Sequence, residues 1–140
     1  MLLKEYLGQD YKNWQAGILA TDISSRALEI AMKAEYSSDR LKLMPENLLK
    51  KYFKNNSNDS FQVVDEVKKE VVYRRFSLMN PNFPFKKNFD IIFCRNVMIY
   101  FDYQTKEELV KKFYNKLNHN GYFSSDMLNQ LTKRNLVIII

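Results

Sequence analysis

Residues 89–96 read Phe-Asp-Ile-Ile-Phe-Cys-Arg-Asn, and this stretch contains the clearest strand signal in the chain. A nearly continuous apolar run of this length is typical of a parallel strand that is covered on both faces of a sheet. The run ends in Arg95 and Asn96, which would then lie at the carboxyl end of the strand. Ligands of open α/β sheets bind at that edge, so the pair is a candidate binding site. Asn96 offers both a donor and an acceptor to a polar ligand, although a simple turn residue would look the same.

The segments on either side of this strand alternate between strand-like and helix-like patterns. Short apolar or alternating runs predict further strands at residues 16–21, 61–64, 71–76 and from 122 onward. Apolar residues at helical spacing predict helices at residues 2–7, 24–35, 45–53 and 104–117, with a turn or short helix at 65–70 and a polar loop at 54–60. This alternation predicts one α/β domain over residues 1–140 with a doubly wound, Rossmann-like sheet. The final apolar run, 136–140, is either a last strand or the product of a truncated or shifted reading frame.

Composition and charge exclude several classes of protein. The chain is 46% hydrophobic, which argues against intrinsic disorder. The single cysteine, Cys94, rules out an internal disulfide and a multi-thiolate metal site, and the single histidine, His119, lies in a polar turn without ligands at metal spacing. We therefore predict no metal. The net charge of +6 is compatible with an acidic partner but selects none, because basic pairs are ordinary on solvated helix faces.

The sequence also bears on location. No apolar run approaches the roughly 18 residues that a membrane-spanning helix requires, so we predict no membrane insertion. Residues 1–7 are too few and too charged for a signal peptide. Together with the free thiol of Cys94, these features predict a cytoplasmic protein.

Asp22 follows the strand predicted at residues 16–21 and is a second candidate binding residue. In nucleotide-binding α/β units, an acidic residue at the end of the second strand accepts hydrogen bonds from ribose hydroxyls, about 20 residues after a glycine-rich loop. That spacing puts such a loop at or just before Met1, which agrees with the truncated appearance of the first helix. The alternative for Asp22 is a helix N-cap, a role that Ser24 or Ser25 could also take.

Two segments together resemble the signature sequences of the CheR chemotaxis methyltransferases. They are Ile-Leu-Ala-Thr-Asp-Ile-Ser at residues 18–24 and the run from Phe89 through Asp102, in which Cys-Arg-Asn-Val-Met-Ile-Tyr-Phe is the most specific piece. Residues 43–45, 51–53 and 74–81 are similar to the family as well, and the resemblance extends from Met1 to about Phe123. It implies an S-adenosylmethionine-dependent methyltransferase fold. It also implies methyl transfer to glutamate side chains on the helical cytoplasmic region of chemotaxis receptors.

The resemblance implies a cofactor-binding role for five residues. Asp22 would hold the ribose of S-adenosylmethionine. Asn80 and Pro81 would lie beside the adenine. Arg95 and Asn96 would flank the cofactor at the end of the central strand.

Tyr100 is the position that the resemblance implies to be catalytic, near the methyl group and the incoming glutamate. A glutamate carboxylate is already ionised at neutral pH, so it can attack the methyl group without a general base. The protein then has to align the reacting atoms, which can lower a barrier by roughly 7 to 11 kcal/mol in favourable cases. Cys94 is expected to be a buried core thiol rather than a nucleophile.

The sequence departs from the family pattern in three places. The glycine-rich segment and the N-terminal helical domain are absent, so we expect the domain to be incomplete at its N-terminal edge. Ser124-Ser125-Asp126 stands where the family has a Gly-His-Ser-Glu-like segment, and the chain ends in the apolar run noted above. A glycine loop supplies close backbone approach to the cofactor. We therefore expect this chain to bind S-adenosylmethionine weakly or not at all.

Two other functions stay open at this point. The missing glycine loop favours a catalytically inactive fragment that retains only a partner-binding surface. The stretch Asn80-Pro81-Asn82-Phe83 superficially resembles the Asn-Pro-Pro-aromatic motif of nucleic-acid amino-methyltransferases, and the positive charge would suit nucleic acid. However, its third position is not proline, and it precedes the central strand instead of following it. We therefore predict no nucleic-acid partner.

Overall fold

The computed structural model describes residues 1–56, 59–125 and 136–139. The helices are α1 (Leu2–Leu7), α2 (Ser25–Lys33), α3 (Ser38–Leu41), α4 (Glu46–Tyr52), α5 (Asp65–Lys68) and α6 (Tyr103–Tyr114). The strands are β1 (Ile18–Asp22), β2 (Glu35–Ser37), β3 (Phe53–Asn55), β4 (Ser60–Val63), β5 (Val71–Arg75), β6 (Phe89–Arg95), β7 (Leu117–Ser125) and β8 (Leu136–Ile139). Two short 3-10 helices cover Gly8–Asn13 and Met98–Tyr100. None of the helices in these ranges is long and apolar enough to cross a bilayer.

The larger sheet of the described residues has the strand order β5-β1-β8-β6-β7. β1 and β5 are parallel, with Asp22 opposite Arg75, and β6 and β7 are parallel. β8 lies between the two parallel pairs and runs antiparallel to both β1 and β6. The prediction of an α/β domain with parallel strand pairs is confirmed. The central antiparallel strand makes the sheet mixed, so the doubly wound, Rossmann-like arrangement stays a prediction.

The structure differs from the sequence prediction at the end of α2 and in the polar loop predicted at residues 54–60. Ala34 adopts a left-handed conformation (φ 52°, ψ 39°) and ends α2 at Lys33, whereas the periodicity predicted helix as far as Glu35. The chain then enters β2, which pairs with β4, and β4 pairs with β3 to form a second, antiparallel sheet. The predicted loop at 54–60 is therefore wrong at its two ends, and residues 57–58 lie outside the described residues. Pairing between distant short strands provides the backbone hydrogen bonds that local sequence does not predict.

The core of the larger sheet lies between β6 and α6. Ile92 and Cys94 of β6 have no exposed surface, and Leu109 and Phe113 of α6 are each 1% exposed. Val110 of the same helix is exposed. This packing holds the carboxyl end of β6 and the start of α6 together, and the candidate site lies at that end.

The segment 76–88 connects β5 to β6 and contains no helix or strand, although the structure describes all of it. Its aromatic side chains anchor it: Phe76 packs on Phe83 and Phe85, with ring centroids 5.2 and 5.0 Å apart. Phe83 in turn contacts Phe113 of α6 at 5.5 Å. The path of this segment is therefore set by burial of phenylalanine rings rather than by strand pairing.

α6 ends at Tyr114 and β7 begins at Leu117, earlier than the strand predicted from Tyr122. Leu117 pairs with Phe89 and Tyr122 pairs with Ile91, so β7 bulges between these two points. Gly121 lies in the bulge, where an added Cβ would be 3.0 Å from the carbonyl oxygen of Asn118 and 3.1 Å from that of Asp90. Both contacts are with backbone atoms, which cannot move aside easily.

We expect Gly121→Ala to lower the free energy of unfolding by about 1–3 kcal/mol, the usual effect of overpacking. Urea denaturation monitored by circular dichroism measures this change. Gly17→Ala is the matched control, because nothing lies within 4 Å of the Cβ that it would add. Equal stability of the two variants would show that the bulge relaxes without cost.

Candidate functional site

A cavity of about 280 Å³ lies at the carboxyl edge of the larger sheet. Three segments form its walls: the end of β1, the chain just after β5 and the chain just after β6. The lining residues are Thr21, Asp22, Ile23, Ser77, Leu78, Met79, Val97, Tyr100 and Phe101. These walls are mostly apolar, with one carboxylate, so the cavity suits a ligand that has a flat apolar part and a few polar groups.

Asp22 brings the carboxylate into this cavity from the last position of β1. Its Oδ1 accepts the backbone N–H of Ser24 at 2.7 Å, which orients the side chain. The N-cap of α2 is Ser24, whose Oγ accepts the N–H of Ala27 at 3.2 Å. The cap that the sequence offered to Ser24 or Ser25 therefore belongs to Ser24, and Asp22 is not the N-cap. A carboxylate has about four acceptor sites, so the turn leaves Asp22 able to accept from vicinal hydroxyls.

β6 ends at Arg95, and Asn96 follows it, at the same sheet edge as Asp22, with β8 between the two strands. Strand spacing puts the two strand ends about 10 Å apart, close enough for one ligand to reach both. Asn96 is 7% exposed and has a left-handed backbone (φ 56°), a conformation that asparagine tolerates better than most residues. Asn96 therefore makes the turn after the strand, and its neighbour Val97 lines the cavity.

Arg95 does not line the cavity that contains Asp22 and Tyr100. It lines a second, larger cavity of about 470 Å³, together with Phe93, Ile18 and residues of α1. That cavity is almost wholly apolar apart from Arg95 and Glu70. The structure thus brings Asp22 and Tyr100 together in the smaller cavity, and Arg95 is not among the residues that line it.

Tyr100 belongs to the 3-10 helix after β6 and is 66% exposed at the mouth of the smaller cavity. Met98 in the same turn is 2% exposed and anchors it in the core. Asp102 follows and caps α6, because its Oδ1 accepts the N–H of Thr105 at 2.8 Å. This hydrogen bond lowers the pKa of Asp102. The phenol is therefore presented to solvent from a well-anchored turn.

Asn80 and Pro81 are both exposed and follow the residues that form the wall. The described lining comes instead from Ser77, Leu78 and Met79, which the sequence analysis did not select. A turn shapes this stretch, since the N–H of Asn80 donates to the carbonyl of Ser77 at 3.1 Å. Their position in the sequence could have indicated that these three residues lie at the site. They follow β5 directly, and a strand parallel to β1 ends at the same sheet edge as Asp22.

Two other kinds of chemistry find no support among the described residues. Cys94 has no exposed surface, and burial raises the pKa of its thiol to about 12, so it is protonated at neutral pH and cannot act as a nucleophile. No group of three or more histidine, cysteine, aspartate or glutamate side chains suited to a metal ion occurs in the part of the chain that the structure describes.

Comparison with known proteins identifies the family. The model of the CheR methyltransferase, SAM binding domain, matches residues 1–135. The chain is 44% identical to the chemotaxis protein methyltransferase of Borreliella burgdorferi over 122 residues, which are 87% of this chain and 43% of that protein. It is 38% identical to a probable chemotaxis protein methyltransferase of Rhizobium etli over 108 residues, 75% of this chain and 40% of the relative. It is also 32% identical to the chemotaxis protein methyltransferase of Escherichia coli over 124 residues, 86% of this chain and 43% of the relative.

The chain spans less than half the length of these curated relatives. Its cavity offers a carboxylate for the hydroxyls of a ribose and apolar walls for a purine, so the residues present fit an adenosyl group. The methyl donor that this kind of domain binds is S-adenosylmethionine. The carboxyl-edge cavity, the matched family model and the related methyltransferases agree, and the chain belongs to the CheR methyltransferase family.

Proposed function

We propose that this chain forms the cofactor-holding part of an enzyme that methylates glutamate carboxylates of chemotaxis receptors, yielding glutamate methyl esters. The observation that carries the proposal is the cavity at the sheet edge that Asp22 and Tyr100 both line. In this proposal Asp22 accepts hydrogen bonds from the ribose hydroxyls of S-adenosylmethionine. Leu78 and Met79 lie against the adenine, and Asn80 and Pro81 adjoin them along the chain.

Arg95 and Asn96 have less direct roles in the proposal. Asn96 shapes the turn that brings Val97 to the cavity, and Arg95 adds positive charge near the end of the central strand. Tyr100 lies at the mouth, where an entering glutamate would pass. Its phenol can donate a hydrogen bond to a carboxylate oxygen and so orient the nucleophile.

The composition of the cavity suits a reaction that requires no base. Asp22 and Tyr100 are the ionisable side chains among the described lining residues. A bound sulfonium supplies an electrophilic methyl group, and a substrate carboxylate is already ionised at neutral pH. The residues of this chain therefore have to bind, orient and exclude water rather than move a proton. Esterification removes a negative charge, which relieves repulsion between neighbouring carboxylates on packed receptor helices.

A nuclear magnetic resonance titration of the chain with S-adenosylhomocysteine tests the binding part of this proposal. At ligand concentrations high enough to detect the weak binding expected of a chain without the glycine loop, the methyl resonances of Leu78, Met79 and Val97 should shift, because these side chains line the cavity. The methyl resonances of Val63 and Val67 serve as an internal control, since both valines are buried in the core of the smaller sheet. Shifts confined to that control region, or no shifts at all, would contradict the proposal.

A transfer assay tests the chemistry. The chain is incubated with methyl-labelled S-adenosylmethionine and the purified cytoplasmic helical region of a chemotaxis receptor. We expect label on the receptor that alkali releases as methanol, because esters hydrolyse in base and methylated amines do not. Label that resists alkali, or label transferred to added DNA or RNA instead, would overturn the proposed substrate. Binding without any transfer would leave the chain a cofactor-holding module and would refute the transfer step.

A further inference from the structure

Helix α6 is connected to two of the three walls of the cavity, the chain just after β6 and the chain just after β5. It begins at Tyr103, directly after the wall residues Tyr100 and Phe101. Further along the helix, the Nζ atom of Lys112 donates a hydrogen bond to the backbone carbonyl of Asn80 at 2.9 Å. Asn80 closes the turn that starts at Ser77 on the opposite wall. The helix therefore connects these two walls.

The wall that Lys112 contacts has no helix or strand of its own. It belongs to the segment 76–88, all of which is described and none of which is helix or strand. Leu78 is buried in the core, but Met79 is 57% exposed and depends on the turn for its position. The turn has two internal hydrogen bonds: the N–H of Met79 donates to the Oγ of Ser77 at 3.2 Å, and the N–H of Asn80 donates to the Ser77 carbonyl. Backbone of this kind opens more easily than a strand.

The ammonium group of Lys112 makes two contacts with this segment. Besides the Asn80 carbonyl, it lies 5.8 Å from the centre of the Phe83 ring, within the range of a cation–π interaction. Phe83 itself packs on Phe113, the next residue of the helix. A hydrogen bond from a charged donor is stronger than one from a neutral donor. The preceding residue, Lys111, faces solvent and pairs with Glu107 of its own helix at 2.7 Å.

We propose that Lys112 is a positioning residue for the cofactor: by binding the carbonyl of Asn80 it sets the turn at residues 77–80 that forms one wall of the cavity. The side chain does not itself line the cavity, so it acts through the turn. The link to the cofactor rests on the proposed function, whereas the link to the turn is a property of the chain without ligand.

Hydrogen exchange of the ligand-free chain tests the effect on the turn. We expect Lys112→Met to speed exchange at the amides of Met79 and Asn80 by about tenfold, since loss of one such hydrogen bond changes a local equilibrium by roughly that factor. Lys112→Arg retains both charge and donors and should restore the slow rate. Lys111→Met is the control on the solvent side of the helix and should change neither amide.

Lys116 supplies a second control within the same segment. Its Nζ atom donates to the carbonyl of Phe85 at 2.7 Å, an equivalent bond that lies away from the cavity. We expect Lys116→Met to leave exchange at Met79 and Asn80 unchanged. If Lys116→Met accelerates these amides as much as Lys112→Met does, or if Lys112→Met leaves them unchanged, the positioning role is refuted. Acceleration across β1 and β6 together with a lower urea midpoint would also refute it, because that pattern indicates general unfolding.

Titration with S-adenosylhomocysteine connects the turn to the site. We expect Lys112→Met to weaken binding by about tenfold, matching the exchange effect, with recovery in Lys112→Arg and no change in Lys111→Met. If the unaltered chain shows no cavity shifts, the proposed function fails, while the exchange result still decides whether Lys112 sets the turn. If the unaltered chain binds and Lys112→Met binds equally well, the inference fails and the proposed function stands.

Discussion

Replacing Phe113 by alanine is expected to lower the free energy of unfolding by about 3–5 kcal/mol, the usual effect of removing a buried phenylalanine. The side chain is 1% exposed and stacks on Phe123 at 5.1 Å as well as contacting Phe83. It therefore joins α6, β7 and the connecting segment 76–88. Because a domain of this size is stable by only about 5–15 kcal/mol, the loss would remove much of its stability.

Urea denaturation followed by circular dichroism measures the effect of Phe113→Ala. Tyr114→Ala is the matched control, since Tyr114 is the next residue of the same helix and is 76% exposed. We expect this control to change stability by no more than about 0.5 kcal/mol. A Phe113→Ala variant that unfolds at nearly the same urea concentration as the unaltered chain would show that the packing around α6 is not the main core of the domain.

Replacing Asp22 by asparagine is expected to lower the affinity for S-adenosylhomocysteine by roughly 10- to 100-fold, the equivalent of one or two hydrogen bonds to a charged group. Asparagine retains an oxygen that can accept the N–H of Ser24, so the turn after β1 should persist. What it loses is the negative charge and the ability to accept two hydroxyl donors through two equivalent oxygens. The variant therefore separates ligand binding from local folding.

The affinity of Asp22→Asn is measured by the same titration that tests the proposed function. Asp102→Asn is the matched control, because Asp102 also accepts a backbone N–H in a turn at this sheet edge but does not line the cavity. We expect this control to bind as the unaltered chain does. Equal affinity of Asp22→Asn and the unaltered chain would rule out a ribose contact at Asp22.

Local sequence predicted the helices and strands in which apolar side chains recur at a clear helical or strand spacing. β6 lies where the apolar run indicated, and α6 lies within one to three residues of the predicted helix. The N-cap at Ser24 agrees with the sequence because a serine hydroxyl can satisfy a nearby backbone N–H without help from distant residues. The apolar run at the end of the chain forms β8 over Leu136–Ile139, which confirms the reading of that run as a last strand, and Ile140 lies outside the described residues.

The smaller sheet could not be predicted in the same way. β2 and β3 are three residues each, too short for a recognisable alternation, and they form because β4 provides partners for their backbone groups. The early end of α2 has a similar cause. Ala34 takes up a left-handed conformation that its own sequence disfavours, and the chain then turns into β2.

In the candidate site, too, some features follow from local sequence and others depend on tertiary structure. Sequence alone placed Asp22, Arg95 and Asn96 at strand ends, and the motif from Phe89 through Asp102 was enough to indicate the family, because both depend on residue order along the chain. The ligand-facing surface depends instead on which strands are neighbours. The parallel pairing of β5 with β1 brings Ser77, Leu78 and Met79 to Asp22, whereas Arg95 lines a different cavity, with residues of β1 and α1. Such neighbours are selected by burial and hydrogen bonding between segments far apart in the chain, and no local pattern records them.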